Sequence, residues 1–120
     1  MNLTNTFGST GENKIQTGSI FGIGAVRKIN LGYFVDKKYV TISKDGSFEV
    51  GACNGNISLK EGTPFIHLHM ICQDYNQGVF CGHVMEGCIV HPTMEIIIFE
   101  FEKPIKRKFD EDLGLFIWNL

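Results

Sequence analysis

Phe65-Ile66-His67-Leu68-His69-Met70-Ile71-Cys72 is followed by Asp74-Tyr75-Asn76-Gln77-Gly78 and then by Val79-Phe80-Cys81-Gly82-His83-Val84-Met85. The outer pieces are rich in apolar, β-branched and aromatic residues, and the middle piece is polar and ends on glycine, so the whole reads as a β-hairpin. In a strand, side chains two residues apart share a face, which puts His67 and His69 on one side with Phe65 and Ile71. A loop from Asp74 to Gly78 pairs Gln73 with Val79, and counting back sets His69 directly opposite His83. Opposed β-carbons lie about 4.5–5.5 Å apart and diagonal ones roughly 7–8 Å, so His67 is within reach too. A slip of one residue would turn His83 to the other face. A lone His-x-His also fits two outward polar residues; the register match to His83 is what makes a site of them. Three imidazoles with an open fourth position suit zinc. His67, His69 and His83 are the candidate metal ligands, with Cys81 a possible fourth or a nearby thiol. His91, beside Pro92, reads as an exposed loop residue.

Working outward, Ser19–Val26 reads as a buried strand containing glycines that bend it or allow close packing. Arg27–Phe34 alternates, with Ile29, Leu31 and Tyr33 on one face. Asp36-Lys37-Lys38 is a turn and Tyr39–Ile42 a short strand. Asp45-Gly46 predicts a hairpin turn before Ser47–Val50, and Asn54-Gly55 another bend. Thr93–Phe101 is the most apolar run and is expected as a central strand covered on both faces. Lys106-Arg107-Lys108 and Asp110-Glu111-Asp112 are expected as a charged connection to a last strand, Leu115–Trp118. The pattern predicts one mostly antiparallel sheet with little helix.

The whole chain sets wider bounds. Its 120 residues suit one domain with a single core. Residues 1–17 read as a polar N-terminal arm or truncated helix, and 18–120 as the domain proper. No apolar run approaches the ~18 residues of a membrane span, and Met1-Asn2-Leu3-Thr4-Asn5-Thr6 lacks the basic and apolar segments of a signal peptide. A cytoplasmic location is the expectation. The four cysteines form no Cys-x-x-Cys pair, so they are expected as reduced, packed thiols. The net charge of −2 gives no general attraction to nucleic acid or anionic membrane. Gly22-Ile23-Gly24 lacks the third glycine and following helix of a dinucleotide fingerprint.

Several motifs together carry a family resemblance. Gly62-Thr63-Pro64-Phe65-Ile66-His67-Leu68-His69, Gly82-His83-Val84-Met85-Glu86-Gly87 and Thr93-Met94-Glu95-Ile96-Ile97-Ile98 resemble the plant and prokaryote conserved (PPC) domain. Ser19–Val26, Gly55-Asn56-Ile57-Ser58 and Asp112-Leu113-Gly114-Leu115 resemble it as well. The likeness spans about Gly18 to Leu120. It implies an α/β (α+β) fold, with an antiparallel sheet and a flanking helix, assembled as a homotrimer. It also implies a metal site on His67, His69 and His83, a polar or trimer-contact role for Glu95, and a link to DNA-binding proteins. Two departures stand out. Cys81-Gly82 replaces the family's paired glycine, and seventeen residues precede Gly18 where family members carry a strand and a full helix. The chain therefore reads as a short form or as lacking its true start.

Three functions are compatible with this reading. The first is a trimeric zinc-binding module; an enzyme using metal-bound water would also need an acid or base, for which Glu95 and Asp74 are the only candidates, and catalysis is not the expectation. The second is DNA binding, which lacks an AT-hook, a helix-turn-helix pattern and a basic excess; the Lys103–Lys108 cluster is offset by Asp110-Glu111-Asp112. The third is a structural or regulatory subunit.

Overall fold

Seven strands organise the chain in a computed structural model that describes residues 1–5 and 15–120. They are β1 (Gly18–Val35), β2 (Lys38–Lys60), β3 (Thr63–Asp74), β4 (Val79–Val84), β5 (Ile89–Glu100), β6 (Lys106–Asp110) and β7 (Leu115–Asn119). They form one mixed sheet in the order β5-β1-β4-β3-β2-β6-β7, with β1 also paired to β2. That extra pairing closes β1, β2, β3 and β4 into a ring. The only parallel contact among these pairings joins Leu59 of β2 to Lys106 of β6. The expected strand-rich sheet is present, and all seven bounded elements are strands. The helix expected within residues 1–17 falls largely on 6–14, outside the described residues.

Local turn chemistry explains the two tight hairpins. Asp36 and Lys37 take φ of 50° and 62°, and Glu61 and Gly62 take 51° and 78°. Two successive left-handed residues match the twist of the strands they join. The Asp45-Gly46 turn does not form, because β2 runs straight through it with Asp45 opposite Lys28 of β1. The chain has already reversed at Asp36-Lys37, and cross-strand pairing with β1 outweighs the local turn preference. Asn54-Gly55 also stays extended, opposite His69 and Leu68 of β3.

Phe48, Ile20, Val26, Ile29, Leu31, Leu68 and Met70 are fully buried and build the core. Leu3, from the N-terminal segment, belongs to it too. Leu3 is fully buried, its N–H donating to the Cys88 carbonyl at 2.8 Å, and the Val90 N–H donates to the Met1 carbonyl at 2.9 Å. A correction concerns β5. It is an edge strand, hydrogen-bonded in the sheet to β1 alone. Ile96 and Ile98 pack on the core, while Ile97 and Phe99 point outward, 60 % and 61 % exposed. An apolar run with two apolar faces needs two covers, and the described residues supply one.

Candidate metal centre

The hairpin of β3 and β4 has the register that the sequence spacing requires: His69 opposite His83, and Gln73 opposite Val79. Asp74 shapes the turn between them. Its carboxylate accepts from the Gly78 N–H at 2.8 Å, and its carbonyl accepts from the Gln77 N–H at 3.1 Å. Glycines set how closely neighbouring strands approach. A Cβ on Gly55 of β2 would overlap the carbonyl oxygen of His67, and one on Gly82 of β4 would lie 3.0 Å from the Gly32 carbonyl of β1. These contacts seat the strands that carry His67 and His83.

The three imidazoles converge. Ring centroids of His67 and His69 are 5.1 Å apart, those of His67 and His83 5.1 Å, and those of His69 and His83 5.6 Å. One nitrogen from each lies within 4.8 Å of the others. A tetrahedral ion with bonds of about 2.0–2.1 Å holds its nitrogens about 3.4 Å apart. His67 and His83 are half-buried and line a cavity, and His69 is exposed.

Burial keeps His67 and His83 in ligand form. Burial pulls the His67 pKa down to about 4, helped by the neighbouring His83, His69 and Arg107. Burial likewise lowers that of His83, with His69 adding to the effect. Both rings are thus neutral near pH 7, the state that coordinates a metal. Nδ1 of His83 is buried without a hydrogen-bond partner among the described residues, and the Tyr39 ring lies over His83 with centroids 5.0 Å apart. Three convergent imidazoles, one with a buried unpartnered ring nitrogen, fit a borderline cation such as zinc.

The other candidates lie elsewhere. Cys81 is exposed and outside the histidine cluster. Cys53, Cys72 and Cys88 are buried; burial pushes Cys53 and Cys72 up to about 11 and also raises Cys88, as expected of thiols packed as hydrophobes. Glu95 lines a different cavity with Phe21, Ile23 and Ile97. Asp74 is committed to its turn and to Lys44, 3.5 Å away. Neither carboxylate reaches the imidazoles.

Arg107 is the residue that sequence reasoning missed. The expected charged connection is instead β6, in which Lys106 and Lys108 face solvent and Arg107 turns inward. Its Nε donates to Ser58 Oγ at 2.6 Å and its two terminal nitrogens to the Phe116 carbonyl at 2.9 Å and Asn56 Oδ1 at 3.0 Å. The guanidinium lies 5.0 Å from the centre of the Phe65 ring. Period-two alternation within Lys106-Arg107-Lys108 was the available signal.

The profile of the Plants and Prokaryotes Conserved (PCC) domain matches residues 9–102. The chain belongs to that family. Among solved PCC-like structures, a metal-containing protein from Archaeoglobus fulgidus is 30 % identical with a TM-score of 0.89, covering 100 % of this chain and 86 % of its own. A plant- and prokaryote-conserved protein from Pyrococcus horikoshii is 37 % identical with a TM-score of 0.79, covering 88 % and 74 %. A Bacteroides thetaiotaomicron protein described as a candidate DNA-binding protein is 28 % identical with a TM-score of 0.81, covering 88 % and 73 %. A search of curated proteins gives no match. No helix among the described residues is long and apolar enough to cross a membrane.

Proposed function

We propose that this PCC-domain chain is a metal-binding module in which His67, His69 and His83 hold a zinc ion and leave a coordination position open to the adjoining cavity. The observation that carries this reading is the convergence of three imidazole nitrogens within 4.8 Å. The unpartnered Nδ1 of His83 supports it, as does likeness to a metal-containing archaeal protein. Bound zinc would supply a Lewis-acidic centre. No carboxylate lines the cavity beside the histidines among the described residues, so a hydrolytic reaction lacks an obvious base. Ligand binding is therefore the better reading.

The module is proposed to work as a cytoplasmic homotrimer, with the outward face of β5 as the contact. Phe21 of β1 and Phe99 of β5 meet edge-to-face at 6.2 Å on that face, beside exposed Ile23 and Ile97. Such a contiguous apolar face suits burial against another copy. DNA binding rests on the description of the Bacteroides relative. The net charge of −2 does not favour it, and Arg107 is withdrawn from the one basic cluster into the cavity.

Metal analysis of protein purified without an affinity tag tests the site. The expected result is about one zinc per chain, lost in His83→Ala. Well below one-third of an equivalent in the unaltered chain, after zinc supplementation, would falsify the metal reading.

A further inference from the structure

The cavity beside the histidines has a volume of about 410 Å³, within the range of small-molecule sites. Its charge is one-sided. Lys60 and Arg107 line it, together with His67 and His83, and among the described residues no Asp or Glu does. Arg107 is only partly open to solvent, and burial lowers its pKa. Among the described residues the one ion pair is Lys44 with Asp74, at the β3–β4 turn. A half-buried guanidinium with no counter-charge is costly unless something anionic completes it.

The guanidinium is also held in place without being neutralised. Ser58, Asn56 and the Phe116 carbonyl are all neutral acceptors, and each takes one N–H. An arginine has five such donors, so two are left without a partner among the described residues. Ser58 is fully buried, which fixes one end of this arrangement in the core. Tying β6 to β2 would need only a neutral donor at this place; a charge there asks for an anion. The surrounding surfaces are aromatic. Lys60 Nζ lies 4.2 Å from the centre of the Phe116 ring and 5.2 Å from that of Phe65, and Arg107 stacks near Phe65 as well.

We propose that this cavity binds a small organic carboxylate, its charged end held by Arg107 and Lys60 and its apolar body packed on Phe65 and Phe116. A planar carboxylate matches the guanidinium fork, and the aromatic walls favour a ligand with an apolar body over a bare inorganic anion. The inference deepens the metal reading, since a cation on His67, His69 and His83 adds a second attraction for the same carboxylate. Arg107 is the ligand-recognising residue that β6 contributes to the site.

Benzoate, its uncharged analogue benzamide, and inorganic phosphate are suitable probes, followed by isothermal titration or amide chemical shifts on tag-free protein. Zinc-loaded and chelator-treated samples are compared, and zinc content is measured separately. The expected result is saturable benzoate binding in both samples, tighter with zinc, and at least about tenfold weaker binding of benzamide and of phosphate, a difference of about 1.4 kcal/mol. Arg107→Gln should weaken benzoate by a similar factor. Because Arg107 also braces Ser58 and Asn56, Lys60→Gln serves as a second variant that breaks no hydrogen bond and should weaken benzoate several-fold. Benzamide or phosphate binding as tightly as benzoate overturns the proposal. So does unchanged benzoate affinity in both variants, or no benzoate binding to protein that holds its zinc. Benzoate binding through Arg107 in a protein that takes up no zinc supports the carboxylate site and removes the metal reading alone.

Discussion

Gly55 on β2 lies so close to the carbonyl oxygen of His67 on β3 that no side chain fits between them. A hypothetical Cβ would also lie 2.8 Å from a methyl of Leu68, which is buried in the core. The contact links the backbone of a metal-ligand candidate to the strand behind it, so the position of His67 depends on a residue with no chemistry of its own.

Gly55→Ala should therefore push β2 and β3 apart where His67 is held. Overpacking of this kind costs about 1–3 kcal/mol, and zinc affinity should fall together with stability. Thermal unfolding combined with zinc titration checks both. Wild-type melting and wild-type affinity in the variant would show that the close approach does not position the ligand.

The His67 pKa predicts how the metal-free protein responds to acid. Its folded value of about 4 lies below the ordinary 6.5, so the unfolded chain takes up a proton first as the pH falls. Stability is complete above pH 6.5 and is lost progressively as the pH drops from 6.5 toward about 4, with His83 acting in the same direction. Urea midpoints measured on chelator-treated protein between about pH 7 and 5 should decline. They should decline less in His67→Gln, and equal slopes in the two proteins would assign the acid response elsewhere.

The histidine hairpin was legible because all its signals are local. A polar turn, period-two alternation and a short count from Gln73 to His69 define the register without reference to the rest of the chain. Asp45-Gly46 misled because its turn preference is also local, while the pairing of Asp45 with Lys28 is not. β5 misled differently. Hydrophobic residues on both faces of Ile96-Ile97-Ile98-Phe99 announce two contacts, but whether the second comes from this chain or from another is not written in the run itself. Arg107 was hidden inside a triplet of like charges whose middle member faces the other way.

Leu3 offers a separate test, of the N-terminal segment. It is fully buried and hydrogen-bonded to Cys88, so Leu3→Ala should cost about 2–5 kcal/mol, as for other buried leucines. Denaturant unfolding measures this directly. A loss within about 0.5 kcal/mol, typical of surface sites, would mean that the first residues do not dock as described.

The outward face of β5 carries the prediction for assembly. Ile97 is 60 % exposed, with exposed Phe21, Ile23 and Phe99 also on β1 and β5, and an edge strand with such a face is a liability in an isolated subunit. If copies cover it for one another, the wild-type protein sediments as a species of about three chains. Ile97→Glu places a charge in that contact. It should dissociate the assembly while leaving the fold intact, because Ile97 points away from the core on which Ile96 and Ile98 pack. Analytical ultracentrifugation with circular dichroism separates the outcomes. A wild-type protein that stays monomeric at high concentration removes the trimer, and a variant that still assembles moves the contact to another surface. Loss of folded structure in Ile97→Glu would instead show that this face is already covered within the chain, contrary to the exposure of its four apolar side chains.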